Sequence, residues 1–330
     1  MESPDTQSLA SALAGRTVLV TGGAGFIGGH LCAALDRAGA IVRVLDDLST
    51  GRQENLPRGA ELVVGDVADE RAVRRAIAGC RHVIHLAAMV SVPLSVDDPA
   101  RCARTNITGT ESVLRAAAES GVASVVHASS AAVYGPEPAV PSREEDPIVC
   151  ASPYAESKAA GEAAVASYSA DRGLRAASLR LFNVFGPRQD ARSAYAAAVA
   201  AFVEAAIARR PSVIHGDGRQ TRDFVPVVEV VGAFLQATLG LADPARAPLI
   251  AGGAFNIGLG RETSLLELVH MIGDAAGFHA TPRLGPSRPG DVRRSCADLA
   301  RSRALLGYAP TASLAESLAE LVEWMRVPQA

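Results

Sequence analysis

The sequence has few cysteines, almost no net charge and no long apolar run, and each of these shortages excludes a class of protein. The formal net charge of the 330 residues is -3, which argues against a basic nucleic-acid-binding surface or a polybasic membrane patch. The cysteines form no C-x-x-C pair, and their odd number, 5, argues against a disulfide framework. Reduced thiols in a cytoplasmic protein are therefore expected, with no metal site built from cysteine and histidine. The cysteines are Cys32, Cys80, Cys102, Cys150 and Cys296.

Neither the N-terminus nor the most apolar segment of the sequence is predicted to be a targeting or membrane segment. The N-terminus begins acidic and polar and lacks the basic start and apolar core of a signal peptide, so residues 1–14 are predicted to be a flexible tail. The most membrane-like segment, residues 194–208, is too short to span a bilayer and carries Glu204. It is interpreted as a soluble helix.

Short β-branched runs alternate with longer alanine-rich amphipathic segments up to about residue 182. This alternation predicts parallel strands with helical crossovers on both faces of one sheet. Strands are predicted at residues 17–21, 41–45, 61–65, 82–86, 123–129 and 175–182, and helices near 26–38, 69–78, 98–119 and 152–170. The predicted fold class is α/β, with a Rossmann-type doubly wound parallel sheet.

Glycine and proline clusters interrupt this rhythm after about residue 183. Helices are predicted there near residues 194–209, 227–240, 264–276 and 312–326. The sequence thus predicts a Rossmann domain at residues 1–182 and a smaller C-terminal α/β lobe at residues 183–330 that carries the substrate site. Some segments of the second part are expected to return to the first.

The segment TVLVTGGAGFIGGHL places three glycines between a predicted strand and a predicted helix. Gly22 would permit a tight turn, and Gly25 would let the backbone approach a pyrophosphate. Gly28 would let the helix pack closely on the strand. The helix N-terminus would then offer free N–H groups and a positive dipole to the phosphates.

An acidic residue about 20 positions further on identifies the dinucleotide. Asp46 ends the second strand, where a carboxylate accepts from the ribose 2′-hydroxyl and repels a 2′-phosphate, so NAD is predicted rather than NADP. Asp66 either approaches the adenine or caps the helix that begins near Asp69. His85 is expected to be packed or bonded to backbone rather than catalytic. The other predicted cofactor contacts are Phe26, Ile27, Val67, Leu86, Ala87 and Ala88.

The segment SPYAESKAAGE places Tyr154 and Lys158 four residues apart, on one face of a helix that Ser152 and Pro153 would start. A tyrosine that removes a proton near neutral pH needs its pKa lowered from about 10. One unit charge at ~4 Å and an effective dielectric near 20 is worth on the order of 4 kcal/mol, or roughly three pKa units. Lys158 would provide that charge. A pair of surface side chains one helical turn apart, with no catalytic role, is the alternative.

Six motifs together resemble the extended short-chain dehydrogenase/reductases and, more narrowly, the UDP-sugar 4-epimerases. They are TGGAGFIG, SSAAVYG, YAESK, LRLFNVFGPRQD, GDGRQTRDF and RPGDVRRSCAD, and the similarity runs from about residue 16 to 326. The resemblance implies a catalytic triad of Ser130, Tyr154 and Lys158. It also implies that Asn106 supports the active-site helix beside the cofactor. It assigns no certain role to Ser129 and Tyr134, which are interpreted as shaping the loop.

The same resemblance implies inversion at C4 of a UDP-hexose through a transient 4-keto sugar. Ser130 would bind O4, and Tyr154 would remove its proton while NAD accepts the hydride. Similar dehydratases and decarboxylases carry acidic residues shortly before the equivalent of Tyr134. Ala131 and Ala132 transfer no proton, so the sequence disfavours elimination and favours redox chemistry at one carbon.

The nucleotide-sugar contacts are also implied by the resemblance. Asn183, Arg222 and Arg288 match diphosphate and uridine contacts, a task that suits arginine. Asp291 matches the carboxylate that bonds a ribose hydroxyl. Taken on its own, Arg288 is as well explained by a surface ion pair, and Arg222 by pairing with Asp223 or Asp217.

Three further positions match the neighbourhood of the sugar in UDP-N-acetylglucosamine 4-epimerases: Ser91, Gln189 and Ser295. A serine at position 295 leaves room for an N-acetyl group, although small size permits a larger substrate without demanding one. UDP-N-acetylhexosamines are therefore expected as substrates besides UDP-glucose and UDP-galactose.

Two other enzymes and one non-catalytic protein remain open. A UDP-glucuronate 4-epimerase would hold a C6 carboxylate without decarboxylation, and a nucleotide-sugar 4-ketoreductase would consume external NAD(P)H. A non-catalytic NAD-sensing protein would not need the triad. A homodimer is expected, paired through the helices at 98–119 and 153–170, whose alanine-rich faces alternatively pack only on the sheet.

Overall fold

Seven parallel strands form the main sheet in a computed structural model that describes residue 9 and residues 11–189, 197–287 and 291–327. The strands are β1 (Thr17–Thr21), β2 (Ile41–Asp46), β3 (Glu61–Val64), β4 (His82–His85), β5 (Ser124–Ser130), β6 (Ala176–Leu181) and β11 (Ala254–Ile257). They lie in the order β11-β6-β5-β4-β1-β2-β3. The order reverses between β1 and β4, and ligands bind such sheets at the carboxyl ends of the strands beside that switch point.

Helices cover both faces of this sheet. The described helices are α1 (Phe26–Arg37), α2 (Glu70–Ile77), α3 (Val92–Asp97), α4 (Pro99–Ala103), α5 (Gly109–Ser120), α6 (Pro153–Arg172), α7 (Ala197–Ile207), α8 (Val227–Ala242), α9 (Ala247–Ile250), α10 (Leu265–Ala276) and α11 (Leu314–Arg326). A π-helical turn, Arg104–Thr108, joins α4 to α5 inside the single helix predicted at residues 98–119.

The two faces have separate apolar cores because successive side chains of a strand point to opposite sides. In β1, Val18 and Val20 enter the core beneath α1 and α8, whereas Leu19 enters the core beneath α2, α5 and α6. A strand that is buried on both faces reads as a continuous apolar run, and this explains why β1 was predictable.

The rest of the second half forms a smaller lobe with its own apolar core between α7, α10 and α11. Its short strands pair as β7 (Asn183–Phe185) with β10 (Phe224–Pro226), β8 (Val213–His215) with β13 (Arg283–Gly285), and β9 (Thr221–Arg222) with β12 (Thr263–Ser264). The helix α8 and the strand β11 follow residue 182 in sequence but belong to the main sheet layer.

One sequence prediction about the N-terminus is wrong. The flexible tail predicted for residues 1–14 does not extend to its end, because Leu13 is only 1% exposed and belongs to the main apolar core. The Gly15 N–H donates to the Gly39 carbonyl, which ties this segment to the sheet layer. Residues 194–196 of the predicted helix at 194–209 lie outside the described residues. Among the described helices, none is long and apolar enough to cross a membrane.

Candidate active site

The turn between β1 and α1 requires glycine at two of the predicted positions. Gly22 has a φ of 68°, and a Cβ there would lie 2.7 Å from the backbone N of Ala87. A Cβ on Gly28 would lie 2.2 Å from the Gly22 carbonyl O, so α1 packs on the loop backbone rather than on strand side chains. Gly25 directly precedes Phe26, the first residue of α1. The N-terminus of α1 therefore sits at the switch point, where its free N–H groups fit a diphosphate.

Both carboxylate oxygens of Asp46 accept backbone hydrogen bonds in this turn. The N–H groups of Ala24 and Leu48 donate to them at 2.9 Å each. Burial raises the pKa of Asp46, and these hydrogen bonds oppose the rise. A carboxylate oxygen has more than one acceptor site, so Asp46 can hold the turn and still accept from a ribose hydroxyl.

Asp66 is not a helix cap. The cap of α2 is Asp69, whose side chain accepts from the Arg71 N–H at 2.9 Å. Asp66 instead accepts from the Ala68 N–H at 2.8 Å and pairs with the Arg104 guanidinium at 2.7 Å. The alternative that remains from the sequence analysis is the adenine contact.

A chain of hydrogen bonds runs from the end of β4, where Leu86, Ala87 and Ala88 were predicted to meet the cofactor, to the active-site helices. The Ala87 N–H donates to Thr21 Oγ1 at 3.2 Å, and Thr21 Oγ1 lies 2.6 Å from His85 Nδ1. The His85 Nε2 lies 3.0 Å from Thr110 Oγ1, which itself donates to a carbonyl. His85 Nε2 must therefore carry the proton and donate it, while Nδ1 accepts from Thr21.

The ring of His85 is neutral and serves packing, as predicted, although its partners are hydroxyls rather than backbone. Burial and, to a smaller extent, the nearby charge of Lys158 lower the pKa of His85 to about 3. His127 stacks on this ring with centroids 5.7 Å apart, and burial lowers its pKa as well. These two neutral rings lie close to Lys158, whose charge helps to keep them unprotonated.

Asn106 joins the segment after β4 to the active-site helix. Its Oδ1 accepts from the Met89 N–H at 2.7 Å, and its Nδ2 donates to the Met89 carbonyl at 3.0 Å. Nδ2 also donates to Ser157 Oγ on α6 at 2.9 Å. Asn106 is only 2% exposed, so the structure gives it the supporting geometry that the resemblance implied.

Tyr154 and Lys158 lie on the first turns of α6, one helical turn apart. Ser152 caps this helix by accepting from the Ala155 N–H at 3.2 Å. The Lys158 Nζ lies 5.8 Å from the centre of the Tyr154 ring and donates to the Ala128 carbonyl of β5 at 2.8 Å. The two side chains are 9% and 4% exposed, respectively. They are a buried pair and not a pair of surface side chains.

The expected lowering of the Tyr154 pKa is wrong for the protein chain by itself. Burial raises the pKa of Tyr154, and hydrogen bonding with Ser130 only partly opposes the rise. Burial also lowers the pKa of Lys158 to about 8.

Ser130 ends β5 and begins a 3₁₀ turn, Ala131–Tyr134, at the same edge of the sheet. Its Oγ accepts from the Ala132 N–H at 3.1 Å, which leaves the hydroxyl proton for donation. Ser129 and Tyr134, on either side, are tied into a buried polar network. Ser129 Oγ donates to Glu162 Oε1 at 2.5 Å, and Tyr134 OH donates to Asn256 Oδ1 at 2.6 Å.

A buried ion pair forms the centre of that network, which sequence analysis missed. Arg180 binds Glu162 through two bonds, Nε to Oε1 at 2.9 Å and Nη2 to Oε2 at 2.7 Å, and the side chains are 4% and 9% exposed. Arg180 Nη1 also donates to Tyr134 OH at 2.9 Å. Glu162 follows Lys158 by one helical turn, so adjacent turns of α6 bind Ala128 and Ser129, the two residues of β5 that precede Ser130. The Y-x₃-K-x₃-E spacing was the unused signal.

The predicted substrate residues Arg222 and Asp291 pair with each other. The Arg222 guanidinium contacts Asp291, and both partners suggested by its sequence neighbourhood are wrong. Asp217 pairs with Arg293 at 2.7 and 3.0 Å. Asp223 is 0% exposed and accepts backbone N–H bonds instead. Its donors include Leu259, Gly260 and Ala297.

The remaining predicted substrate residues differ in how far the structure constrains them. Gln189 Nε2 donates to the Val184 carbonyl at 2.9 Å, and its buried Oε1 has no hydrogen-bond partner among the described residues. Ser295 is buried, and Asn183 is exposed at the start of β7. Arg288 lies outside the described residues.

Ser91 has a structural task. Its Oγ accepts from the Leu94 N–H at 3.3 Å and so caps α3, a helix that the sequence did not predict. On the same helix Ser95 is 0% exposed, and its Oγ accepts from the Tyr154 N–H at 3.1 Å. The helix α3 thus helps to fix the position of Tyr154, a contribution that no sequence motif indicated.

Residues 18–258 match the NAD-dependent epimerase/dehydratase family, and the chain belongs to that family. This match covers the glycine turn after β1, the turn that begins at Ser130 and the first turns of α6. Together with the relatives, it confirms that the chain is an NAD-dependent epimerase of the extended short-chain dehydrogenase/reductase type.

Individual relatives share nearly the whole length of the chain. The UDP-glucose 4-epimerase of Mycolicibacterium smegmatis is 43% identical over 315 residues, covering 93% of this chain and 98% of that protein. A UDP-glucose 4-epimerase of Thermotoga maritima, solved with UDP-glucose, has a TM-score of 0.87 at 37% identity and covers 94% of this chain and 98% of its own. A UDP-N-acetylglucosamine 4-epimerase of Methanobrevibacter ruminantium, solved with UDP-N-acetylmuramic acid, has a TM-score of 0.87 at 33% identity, with 95% and 99% covered.

Proposed function

We propose that this protein inverts C4 of a UDP-hexose and accepts UDP-N-acetylhexosamines as well as UDP-glucose and UDP-galactose. The observation that carries the proposal is that Ser130, Tyr154 and Lys158 converge at one edge of the sheet, while the two residues that follow Ser130 are alanines. The triad supplies proton exchange at one hydroxyl, and Ala131 and Ala132 supply no second acid or base. The epimerase branch of the family fits this site better than the dehydratase branch.

The dinucleotide site is proposed at the glycine turn. Gly22, Gly25 and the N-terminus of α1 would bind the pyrophosphate, and Asp46 the ribose. When NAD is bound, it supplies the hydride acceptor and a positive charge beside the tyrosine. That added charge favours the phenolate form of Tyr154, whose pKa burial would otherwise keep high.

The protein's own groups divide the proton work. Ser130 donates a hydrogen bond to the sugar O4, and Tyr154 removes the O4 proton and later returns it. Lys158, fixed to the Ala128 carbonyl, keeps its charge beside the phenol without forming a direct ion pair. Asn106 and Ser95 hold α6 in place, which keeps Tyr154 at the end of β5.

Inversion further requires that the nucleotide stay bound while the 4-keto sugar turns over. We assign the nucleotide to Arg222, Asp291, Asn183 and Arg288, and the sugar to the neighbourhood of Gln189 and Ser295. The Gln189 Oε1, which has no hydrogen-bond partner among the described residues, supports this, because a buried acceptor without a donor costs about 1–3 kcal/mol, which a sugar hydroxyl would recover. Ser91 would donate its hydroxyl proton to the sugar while its oxygen accepts the Leu94 N–H bond of the cap.

The proposed substrate range includes N-acetylhexosamines for two reasons. The small, buried Ser295 supports N-acetylhexosamines, and so does the likeness to a UDP-N-acetylglucosamine 4-epimerase. UDP-glucuronate epimerisation is the nearest alternative, and ketoreduction the next.

A substrate panel tests the function. Purified protein would be incubated with UDP-glucose, UDP-N-acetylglucosamine or UDP-glucuronate without added cofactor, and the C4 epimers resolved by NMR. We expect the first two to reach an epimer mixture. Conversion of UDP-glucuronate alone would favour that alternative, stoichiometric use of added NADH would favour ketoreduction, and no conversion at all would contradict the assignment.

We also propose a homodimer paired through α4, α5 and α6. Leu94 and Val96 on α3, which packs beside α6, are 55% and 62% exposed and support an apolar contact in this region. Light scattering should give twice the chain mass. A monomer at micromolar concentration would contradict the pairing.

A further inference from the structure

Three metal-ligating side chains converge at the C-terminal end of α10, in the smaller lobe. His270 and Asp274 are one helical turn apart, and His279 follows the end of the helix. At about 1.5 Å rise per residue, the ten residues from Ser264 to Asp274 place this cluster roughly 15 Å from the strand pair that carries Arg222. The cluster is therefore separate from the proposed active site.

The chain reversal after α10 brings the third side chain back. Gly277 has a φ of 66° and ends the helix in a left-handed conformation. His279 then lies against Gly273, where a Cβ would be 2.6 Å from the imidazole Nδ1. Gly273 and Gly277 together allow His279 to reach the helix face that carries His270 and Asp274.

The spacing of the ligand atoms fits one ion. His270 Nδ1 lies 3.1 Å from Asp274 Oδ2, and His279 Nε2 lies 3.2 Å from Asp274 Oδ1. All three ligand positions lie within 4.8 Å of one another. Ligands about 2.1 Å from a tetrahedral ion stand roughly 3.4 Å apart, so a small movement would seat them around it.

We propose that His270, Asp274 and His279 bind a divalent transition-metal ion, with Zn²⁺ as the best match. Two imidazoles and one carboxylate suit zinc, whereas Mg²⁺ and Ca²⁺ prefer oxygen ligands alone. The three side chains are 71%, 62% and 56% exposed, so an ion reaches them directly. A cavity lined by Ser212, Phe278 and other residues borders both histidines.

The bound ion would connect the end of α10 to the segment that leads into β13. Because β13 pairs with β8, the connection would stabilise the edge of the smaller lobe. The simpler alternative is that Asp274 only hydrogen-bonds both imidazoles.

Calorimetric titration of chelator-treated full-length protein with ZnCl₂ tests the proposal. A Cys150→Ser background removes the half-buried thiol, the other described cysteines being buried. We expect one equivalent to bind, and affinity to fall about 10- to 100-fold or more in Asp274→Asn and in His279→Gln. Glu323→Gln, which removes an exposed carboxylate from the neighbouring helix α11, is the matched control and should bind like the background protein.

The melting temperature distinguishes binding at one specific site from nonspecific binding to the surface. Zn²⁺ should raise the melting temperature of the background and Glu323→Gln proteins but not of the Asp274→Asn, His279→Gln double variant. No saturable binding, or equal binding in the double variant, would overturn the proposal. Because all three residues are exposed and lie outside the proposed active site, epimerase activity without zinc should be the same in every variant, so failure here would leave the proposed function intact.

Discussion

The proposed cofactor side and the proposed nucleotide-sugar side of the site are held in different ways. On the cofactor side, Asp46, Asn106 and Lys158 are buried, and each is fixed by hydrogen bonds to the backbone. On the substrate side, Arg222 and Asp291 are paired with each other and partly exposed, and Gln189 keeps an acceptor without a partner among the described residues.

This difference follows from the elements that carry each side. The proposed cofactor and catalytic residues stand at the ends of buried parallel strands or on helices packed against them, and two apolar cores hold these strands in register. The substrate residues stand on two- and three-residue strands and on loops of the smaller lobe. An epimerase benefits from this division, because the hydride and proton transfers need fixed geometry while the sugar must rotate.

The largest expected effect comes from the base on the rigid side. Tyr154→Phe keeps the ring and its packing but removes the only phenol of the triad. We expect kcat to fall about 100- to 10,000-fold while NAD binding, followed by fluorescence titration, is unchanged. Full activity in this variant would place the base elsewhere.

Removing one partner of the buried ion pair tests how strongly the rigid side depends on its network. Glu162→Ala leaves Arg180 buried without its carboxylate, and we expect the free energy of unfolding to fall by about 3–5 kcal/mol. Urea denaturation would measure it. Glu119→Ala, which removes an exposed partner of Arg74, is the control and should cost no more than about 1 kcal/mol. Equal losses of unfolding free energy in the two variants would mean that the Arg180–Glu162 pair stabilises the protein no more than an exposed ion pair does.

On the substrate side, truncation of Arg222 should affect binding more than chemistry. A charge-assisted hydrogen bond is worth about 1.5–3 kcal/mol, so Arg222→Ala should raise the KM for the UDP-sugar roughly 10- to 150-fold. The kcat and the NAD affinity should change little. Arg293→Ala breaks a neighbouring, more exposed ion pair with Asp217 and serves as the control. A loss confined to kcat would assign Arg222 to the rigid side.

The titration of Lys158 should give a smaller, pH-dependent effect. Burial lowers the pKa of Lys158 to about 8, so the ammonium is charged below that pH and loses its proton above it. Because the charge favours the phenolate, kcat should decline as the pH rises through about 8. Lys158→Arg keeps its charge and should lack this alkaline decline. An identical pH profile in both proteins would show that another group titrates.

The smallest expected change concerns selectivity. Ser295→Tyr fills the space proposed for an N-acetyl group, so activity on UDP-N-acetylglucosamine should fall while activity on UDP-glucose is kept. Competition between the two substrates in one reaction measures the ratio directly. An unchanged ratio would separate Ser295 from the sugar pocket.

The two sides were also unequally predictable from the sequence. β1 was predicted with the observed bounds because a doubly buried strand is a continuous apolar run, and Tyr154 and Lys158 were placed because helical spacing sets a face. The strand Thr221–Arg222 is too short to show any period, and the Arg222 partner, Asp291, is distant in sequence. Leu13 was assigned to the tail because the N-terminus begins acidic and polar, and only the folded chain shows that Leu13 is buried.

The central claim is that the hydrogen on C4 leaves as hydride and returns to the same carbon without exchange. UDP-glucose labelled with deuterium at C4 would be incubated with the purified protein, without added cofactor, and the UDP-galactose formed would be analysed by NMR and mass spectrometry. The account predicts that the product keeps the deuterium at C4. Product that carries solvent hydrogen at C4 would contradict it, because it would show proton abstraction from carbon instead of hydride transfer.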